Sequence, residues 1–184
     1  MRRSVYYFTM SLDGYIADAE GSVDWMAGAP NIDYGYKEFY DSVGTILLGR
    51  RTYEHMLKMG DFFPYPDREV RVFSSNDKLK VAAESVHITQ DDPAKVLARL
   101  QLGAADEGLI WIGGGGTLAG SLLEAGLIDE LRVFVQPILL GEGIPAFASE
   151  KVTARLLELT AQKQWPAGII ELRYGVPKRW RSDV

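Results

Sequence analysis

Ile110-Trp111-Ile112-Gly113-Gly114-Gly115-Gly116-Thr117-Leu118 is the stretch that decides the fold. A short apolar run breaks into four consecutive glycines, and a helical pattern with Leu118, Leu122 and Leu123 on one face follows at once. A strand that feeds a helix in this way is the corner of an α/β unit. Glycines let the backbone approach another body closely. The start of a helix offers free N–H groups and the positive end of its dipole to an anion. A tight turn alone would need one glycine, and a run of them costs chain entropy. The corner therefore predicts contact with a phosphate or pyrophosphate. Gly114-Gly115-Gly116-Thr117-Leu118-Ala119 also satisfies G-x-G-x-x-A, but weakly, because in a Rossmann domain that pattern follows the first strand.

The flanking sequence repeats the alternation. Residues 5–10 (V-Y-Y-F-T-M) read as a buried first strand, interrupted by Ser11-Leu12-Asp13-Gly14 and resumed at 15–17. Residues 18–30 form a loop of mainly small residues, and the pattern predicts a helix over 32–42 with Asn31 as its N-cap. Residues 45–48 are a fully apolar strand, Gly49-Arg50-Arg51 turns the chain, and 52–59 are helical in pattern. Strands follow at 70–73 and 86–88. Asp91-Asp92-Pro93 opens a helix with Val96, Leu97 and Leu100 inward. Residues 132–140 form a strand broken by Pro137, and 154–163 with 169–174 form an antiparallel closing pair. The expected fold is a three-layer α/β domain with a mostly parallel sheet of about eight strands, about four helices and right-handed crossovers. No repeat or linker divides the chain, so residues 1–184 are expected to form one domain.

Composition narrows the function. Apolar residues make up 47% of the 184, enough for a substantial core. There is no cysteine, which removes disulfides, thiolate metal sites and thiol nucleophiles. The formal charge of −5 is the opposite of what phosphate-driven nucleic-acid binding needs. The basic stretch Lys178-Arg179-Trp180-Arg181 reads as a solvated tail. His55 and His87 lie far apart with no paired-ligand spacing, so no metal site is expected. No apolar stretch approaches the roughly 18 residues of a membrane span, and Ser11, Asp13 and Gly14 break the N-terminal apolar run too soon for a signal peptide. The expected setting is the cytoplasm. No G-x-S-x-G elbow or G-x-x-x-x-G-K-[ST] loop is present.

A second corner carries charge. In Leu47-Leu48-Gly49-Arg50-Arg51-Thr52, two arginines and a threonine sit where a strand ends and a helix begins. Guanidinium groups suit phosphate geometry, and an extra phosphate on an adenosine ribose would account for a pair. The plainer reading makes Arg51 a solvated first-turn residue and Thr52 a cap.

Together these segments resemble a known family. Gly49-Arg50-Arg51-Thr52-Tyr53-Glu54 resembles the G-R-x-T-[WY]-E segment of dihydrofolate reductases, Ser74-Ser75-Asn76 their adenosine-side segment, and Ile112-Gly113-Gly114-Gly115 their I-G-G-G turn. Met10-Ser11-Leu12-Asp13-Gly14-Tyr15-Ile16-Ala17 is similar to the M-S-L-D-G-x-I-A opening of the reductase half of bacterial bifunctional riboflavin-biosynthesis deaminase–reductases. Pro137-Ile138-Leu139-Leu140-Gly141-Glu142-Gly143 resembles the P-x-L-L-G-x-G strand end of that group. The resemblance implies a dihydrofolate-reductase-like fold, NADPH as hydride donor, a small-molecule substrate and a homodimer. It also implies a stand-alone reductase domain, since no deaminase zinc site can form without cysteine.

Carried over by position, the resemblance gives Gly49, Arg50, Arg51 and Thr52 to the cofactor phosphates. Ser74 and Ser75 would lie along the adenosine, and Gly113, Gly114, Gly115, Gly116 and Thr117 at the pyrophosphate. Ile16, Ala17 and Ile112 would border the nicotinamide. Dihydrofolate reductases hold their substrate with a carboxylate on the first helix, which makes Asp33 the candidate catalytic acid here and Asp13 the second. The plainer readings are a first-turn acid facing the helix dipole for Asp33 and a turn aspartate for Asp13. Trp25 and Tyr36 are candidate walls of the substrate site or, more plainly, core. The leading expectation is NADPH-dependent reduction of a small heterocyclic (pteridine or ribosylaminopyrimidine-like), imine or carbonyl substrate. The alternatives are a dinucleotide-binding module without turnover and a purely structural or regulatory dimer.

Overall fold

The computed structural model describes residues 1–26, 28, 31–60, 62–76, 78–149 and 153–178. Most of the basic stretch at 178–181 therefore lies outside the described residues. The chain begins with β1 (Ser4–Ser11) and β2 (Tyr15–Ala17), followed by α1 (Tyr36–Asp41). Next come β3 (Val43–Gly49), α2 (Arg50–Met56), β4 (Glu69–Phe73), β5 (Val86–Thr89) and α3 (Pro93–Gln101). Then follow β6 (Leu109–Gly114), α4 (Gly116–Glu124), β7 (Glu130–Gln136), β8 (Ile144–Pro145), β9 (Glu158–Gln164) and β10 (Ile170–Gly175).

The main sheet has eight strands in the order β5-β4-β3-β6-β1-β7-β10-β9. All pairs from β5 to β7 are parallel, and β10 runs antiparallel to both β7 and β9. This is the mostly parallel sheet with an antiparallel C-terminal pair that the sequence predicts.

Alternation along the central strands builds two cores. In β3, Leu47 joins Tyr6, Ile110 and Ile112 beneath Leu97 of α3 and Leu118 and Leu122 of α4. Ile46 and Leu48 face the other way, against Phe39 of α1 and Tyr53 of α2. Side chains point to opposite faces with period two, so an all-apolar strand is what a sheet covered on both sides requires. The result is three layers, with α1 and α2 on one face and α3 and α4 on the other. The outermost strand, β9, is different: each of its residues is exposed.

Several boundaries differ from the sequence pattern. Helix α1 starts at Tyr36, not at residue 32, because Tyr34 (φ 54°) and Gly35 (φ 74°) are left-handed and cannot continue a helix from Ile32. Asn31 is therefore not its N-cap. Helix α2 starts earlier than expected, at Arg50, and stops at Met56. The strand at 132–140 ends at Gln136, where Pro137 follows. A small second sheet, β2 with β8, goes beyond the pattern.

Two tight contacts fix the ends of the main sheet. A Cβ on Gly44 would lie 1.8 Å from the Glu107 carbonyl oxygen and 2.8 Å from Nη2 of Arg2. Arg2 is buried there, donating to the Gly108 carbonyl at 2.9 Å and to Thr45 Oγ1 at 2.9 Å. At the opposite end, the Asp13 carboxylate accepts from the backbone N–H of Gly141 at 2.8 Å and of Leu140 at 3.1 Å, tying the β1–β2 turn to the chain after β7.

Gly44→Ala is expected to lower unfolding free energy by about 2 kcal/mol or more in urea titration, since backbone must shift to admit the methyl. Hydrogen bonding from Ser11, then from the Gly141 N–H, holds the Asp13 carboxyl below its ordinary value. A depressed folded-state value means that this contribution is present above the unfolded pKa and is lost as pH falls through the folded one. Melting temperatures of Asp13→Ala and the parent chain should differ most near neutral pH and converge in acid below about pH 4. A gap that widens in acid would contradict the assignment.

Candidate active site

Between β3 and β6 the chain leaves the sheet in opposite directions, through α2 to one face and α4 to the other. Such a switch point opens a crevice at the carboxyl ends of the strands. Here it forms a cleft of about 970 Å³. The two corners singled out in the sequence meet in it. A Cβ built on Gly49 would lie 3.5 Å from the Gly114 carbonyl oxygen and 3.9 Å from the Gly115 Cα. One on Gly114 would meet Thr52 at 3.1 Å. Gly114 (φ 141°) and Gly115 (φ 96°) adopt backbone conformations that L side chains rarely reach.

Helix α4 begins at this point with no side-chain cap on its first turn. Its first N–H groups are left for another acceptor, with the dipole behind them. Across the cleft, α2 also starts without a side-chain cap and carries Arg50 and Arg51. Both are exposed, and Arg50 leans on Glu54 at 3.5 Å.

Of the residues assigned a role from sequence, Ile16, Ala17, Gly49, Arg50, Arg51, Thr52, Gly113, Gly114, Gly115, Gly116, Thr117 and Tyr36 line this one cleft. The others lie outside its lining. Ile112 is fully buried in the α3–α4 core. Phe73 reaches the cleft, and the next residue, Ser74, accepts the Asn76 N–H at 2.9 Å in a local turn; Ser75 is exposed beyond it. Trp25 donates to the Ser22 carbonyl at 3.2 Å within its own loop.

Neither candidate acid lines the cleft. The exposed Asp33 lies ahead of α1 rather than on it, and both its carboxylate oxygens accept the Lys37 N–H at 3.1 Å. Asp13 is held by Leu140 and Gly141 as described.

The inner end of the cleft brings together residues that no sequence pattern marked. Tyr7 and Thr9 come from β1, Trp111 from β6, and Tyr65 from the connection between α2 and β4. With Tyr36 they make a wall of rings: Trp111 lies 5.2 Å from Tyr65 and 6.2 Å from Tyr36, and Tyr7 lies 6.2 Å from Tyr36. Trp111 is fixed from behind by donating to the Tyr7 carbonyl at 3.1 Å. Burial pushes the Tyr7 phenol up, helped by the negative charge of Glu171. Burial pushes Tyr36 up as well, and the neighbouring Tyr65 adds to it. These phenols stay protonated through the neutral range.

Among the described residues, no group of histidine and carboxylate side chains is placed to hold a metal ion, and no helix is long and apolar enough to cross a membrane.

Comparison with known proteins bears on the family and the fold. The family model for the RibD C-terminal domain matches residues 4–170. The uncharacterized protein YwjB of Bacillus subtilis is 36% identical over 94% of this chain and 97% of its own length. Among solved structures, a putative riboflavin biosynthesis protein from Shewanella superposes with a TM-score of 0.80 at 25% identity, covering 95% of this chain and 99% of that one. Dihydrofolate reductase from Enterococcus faecalis, solved with NADP(H), superposes at 0.67 with 23% identity, over 95% of this chain and 96% of that one, which shows a shared fold. The chain belongs to the RibD C-terminal domain family and has the dihydrofolate-reductase-like fold.

Proposed function

We propose that the chain is an NADPH-dependent reductase acting on a small heterocyclic, imine or carbonyl substrate. The observation that carries this reading is the meeting of the Gly49–Thr52 and Gly113–Gly116 corners on one cleft. The residues fit the dinucleotide by their own geometry. Glycines keep the floor free of side chains, the uncapped start of α4 faces the place of a pyrophosphate, and two arginines stand at the opposite corner.

On this reading Gly114, Gly115, Gly116 and Thr117 hold the pyrophosphate. Thr52, Arg50 and Arg51 hold the phosphate that distinguishes NADPH from NADH. Ile16 and Ala17 border the nicotinamide, and Ser74 and Ser75 flank the adenosine from the end of β4. Bound NADPH supplies the hydride. The protein supplies orientation, exclusion of water and a proton. With Asp13 and Asp33 engaged in backbone hydrogen bonds outside the cleft, the proton comes from the Tyr65 or Tyr36 hydroxyl or from water. The homodimer implied by the family resemblance belongs to the same proposal, and sedimentation velocity checks it.

The position of the two aspartates also favours one alternative, a module that binds the dinucleotide without turning it over. Tight NADPH binding, with no oxidation by any pteridine, ribosylaminopyrimidine or imine offered, would decide for it.

Calorimetric titration should give saturable NADPH binding well below millimolar concentration. Gly115→Val should abolish it, because a β-branched residue cannot hold φ 96° and its side chain would enter the cradle. Arg50→Ala/Arg51→Ala should weaken NADPH about tenfold or more and leave NADH nearly unchanged. No binding at millimolar NADPH, or equal losses for both dinucleotides, would remove the corresponding assignment.

A further inference from the structure

Sulfur is placed unevenly in this chain. There is no cysteine, and there are five methionines. Three of them, Met26, Met56 and Met59, line the cleft. Met10 packs against the α3–α4 core, and Met1 lies at the exposed N-terminus. With no thiol to react first, the thioethers are the groups that a peroxide oxidises most readily. Reactivity among them then follows exposure. Met56 packs against the core beneath α1 and α2, and Met26 is 37% exposed. Met59 is 68% exposed, close to the 73% of Met1.

Met59 follows the end of α2, its N–H donating to the Met56 carbonyl at 3.3 Å. A ligand that fills the cleft covers this side chain. As a thioether it is apolar and adaptable, and it gains contact when covered. As a sulfoxide it carries a strong acceptor oxygen. Covered without a donor, that oxygen loses its water with nothing in exchange. Among the described residues that line the cleft, the cationic donors are Arg50, Arg51 and Lys58. An anionic ligand needs those same groups. In either case one added oxygen works against binding.

We propose that Met59 is an oxidation site through which peroxide closes the cleft to its dinucleotide. The consequence for binding rests on the reductase reading above. In the step itself, the Met59 sulfur attacks one oxygen of hydrogen peroxide. The O–O bond breaks, an S–O bond forms and water leaves, so sulfur loses the two electrons that the peroxide gains. The change is reversible. A methionine sulfoxide reductase restores the thioether, the oxygen leaving as water while two thiols of dithiothreitol close to a disulfide. The chain has no thiol of its own to exchange during that recovery.

The test treats the whole protein with hydrogen peroxide, then catalase, with and without saturating NADPH. Peptide mass spectrometry follows each methionine, and Met1 serves as a reference of matched exposure outside the cleft. NADPH is expected to slow oxidation at Met59 about fivefold or more and to leave Met1 unchanged. Calorimetry should show NADPH binding about fivefold or more weaker after oxidation, with recovery on treatment with the sulfoxide reductase. Met59→Leu should keep after peroxide whatever affinity it has before it. The proposal is overturned if Met59 and Met1 oxidise alike under NADPH, if the oxidised protein binds as tightly as the untreated one, or if Met59→Leu loses affinity to the same extent as the parent chain. Absence of NADPH binding before any oxidation overturns both this proposal and the reductase reading. Intact binding with Met59 left unprotected overturns this proposal alone.

Discussion

The architecture of the cleft depends on how closely the backbones of β3 and β6 approach at their carboxyl ends. The pairing of these strands slips between Leu47 and Leu48, so that Leu47 faces Ile112 while Leu48 faces Gly114. Gly113 is the residue passed over, and a Cβ there would lie 2.8 Å from Cδ2 of Leu48. Such an irregularity bends and twists the strand that carries it. Here it turns the β6 backbone across the end of β3, and the positive φ angles of Gly114 and Gly115 continue that turn into α4. Gly113 and Gly114 are thus a packing requirement where β6 crosses β3 and the start of α2, while Gly116 makes room for the Pro145 carbonyl. The same crossing sends α2 and α4 to opposite faces, and the crevice is the space between their starts.

Division of labour along the cleft follows from which face of the sheet each segment borders. The α2 corner lies at the surface, where guanidinium groups remain solvated and available. The inner end borders the core beneath α1, where Phe39 packs flat on Tyr7 at 4.2 Å and charges persist only as pairs. One end of a long ligand would be held by charge and the other by shape.

Much of this was legible in the sequence because the signals are local. The glycine run, the apolar strand before it and the arginine pair after Leu48 mark their own corners, and their meeting follows from the parallel topology. The helix is shorter than the spacing over 32–42 suggests because that spacing continues through residues whose backbone is left-handed. Gly35 gave a hint, but the positive φ of Tyr34 has no counterpart in residue type. Asp33 was displaced from the helix for the same reason, and its carboxylate turned to the Lys37 N–H. Tyr65 had no periodic signal at all, since it lies between α2 and β4 in a connection with no regular element among the described residues. Ring walls of this kind are made by tertiary packing, which joins residues far apart in sequence.

One feature far from the cleft bears on how the molecule behaves in company. Because β9 ends the sheet with every residue uncovered, its outer rim carries backbone donors and acceptors that another strand could zip onto. Its sequence, E-L-T-A-Q-K-Q, is polar, and the ladder it shares with β10 is kinked between Arg173 and Tyr174. Charge and a bent rim both work against indefinite sheet growth, so the polarity of β9 protects the solubility of the folded chain rather than its stability.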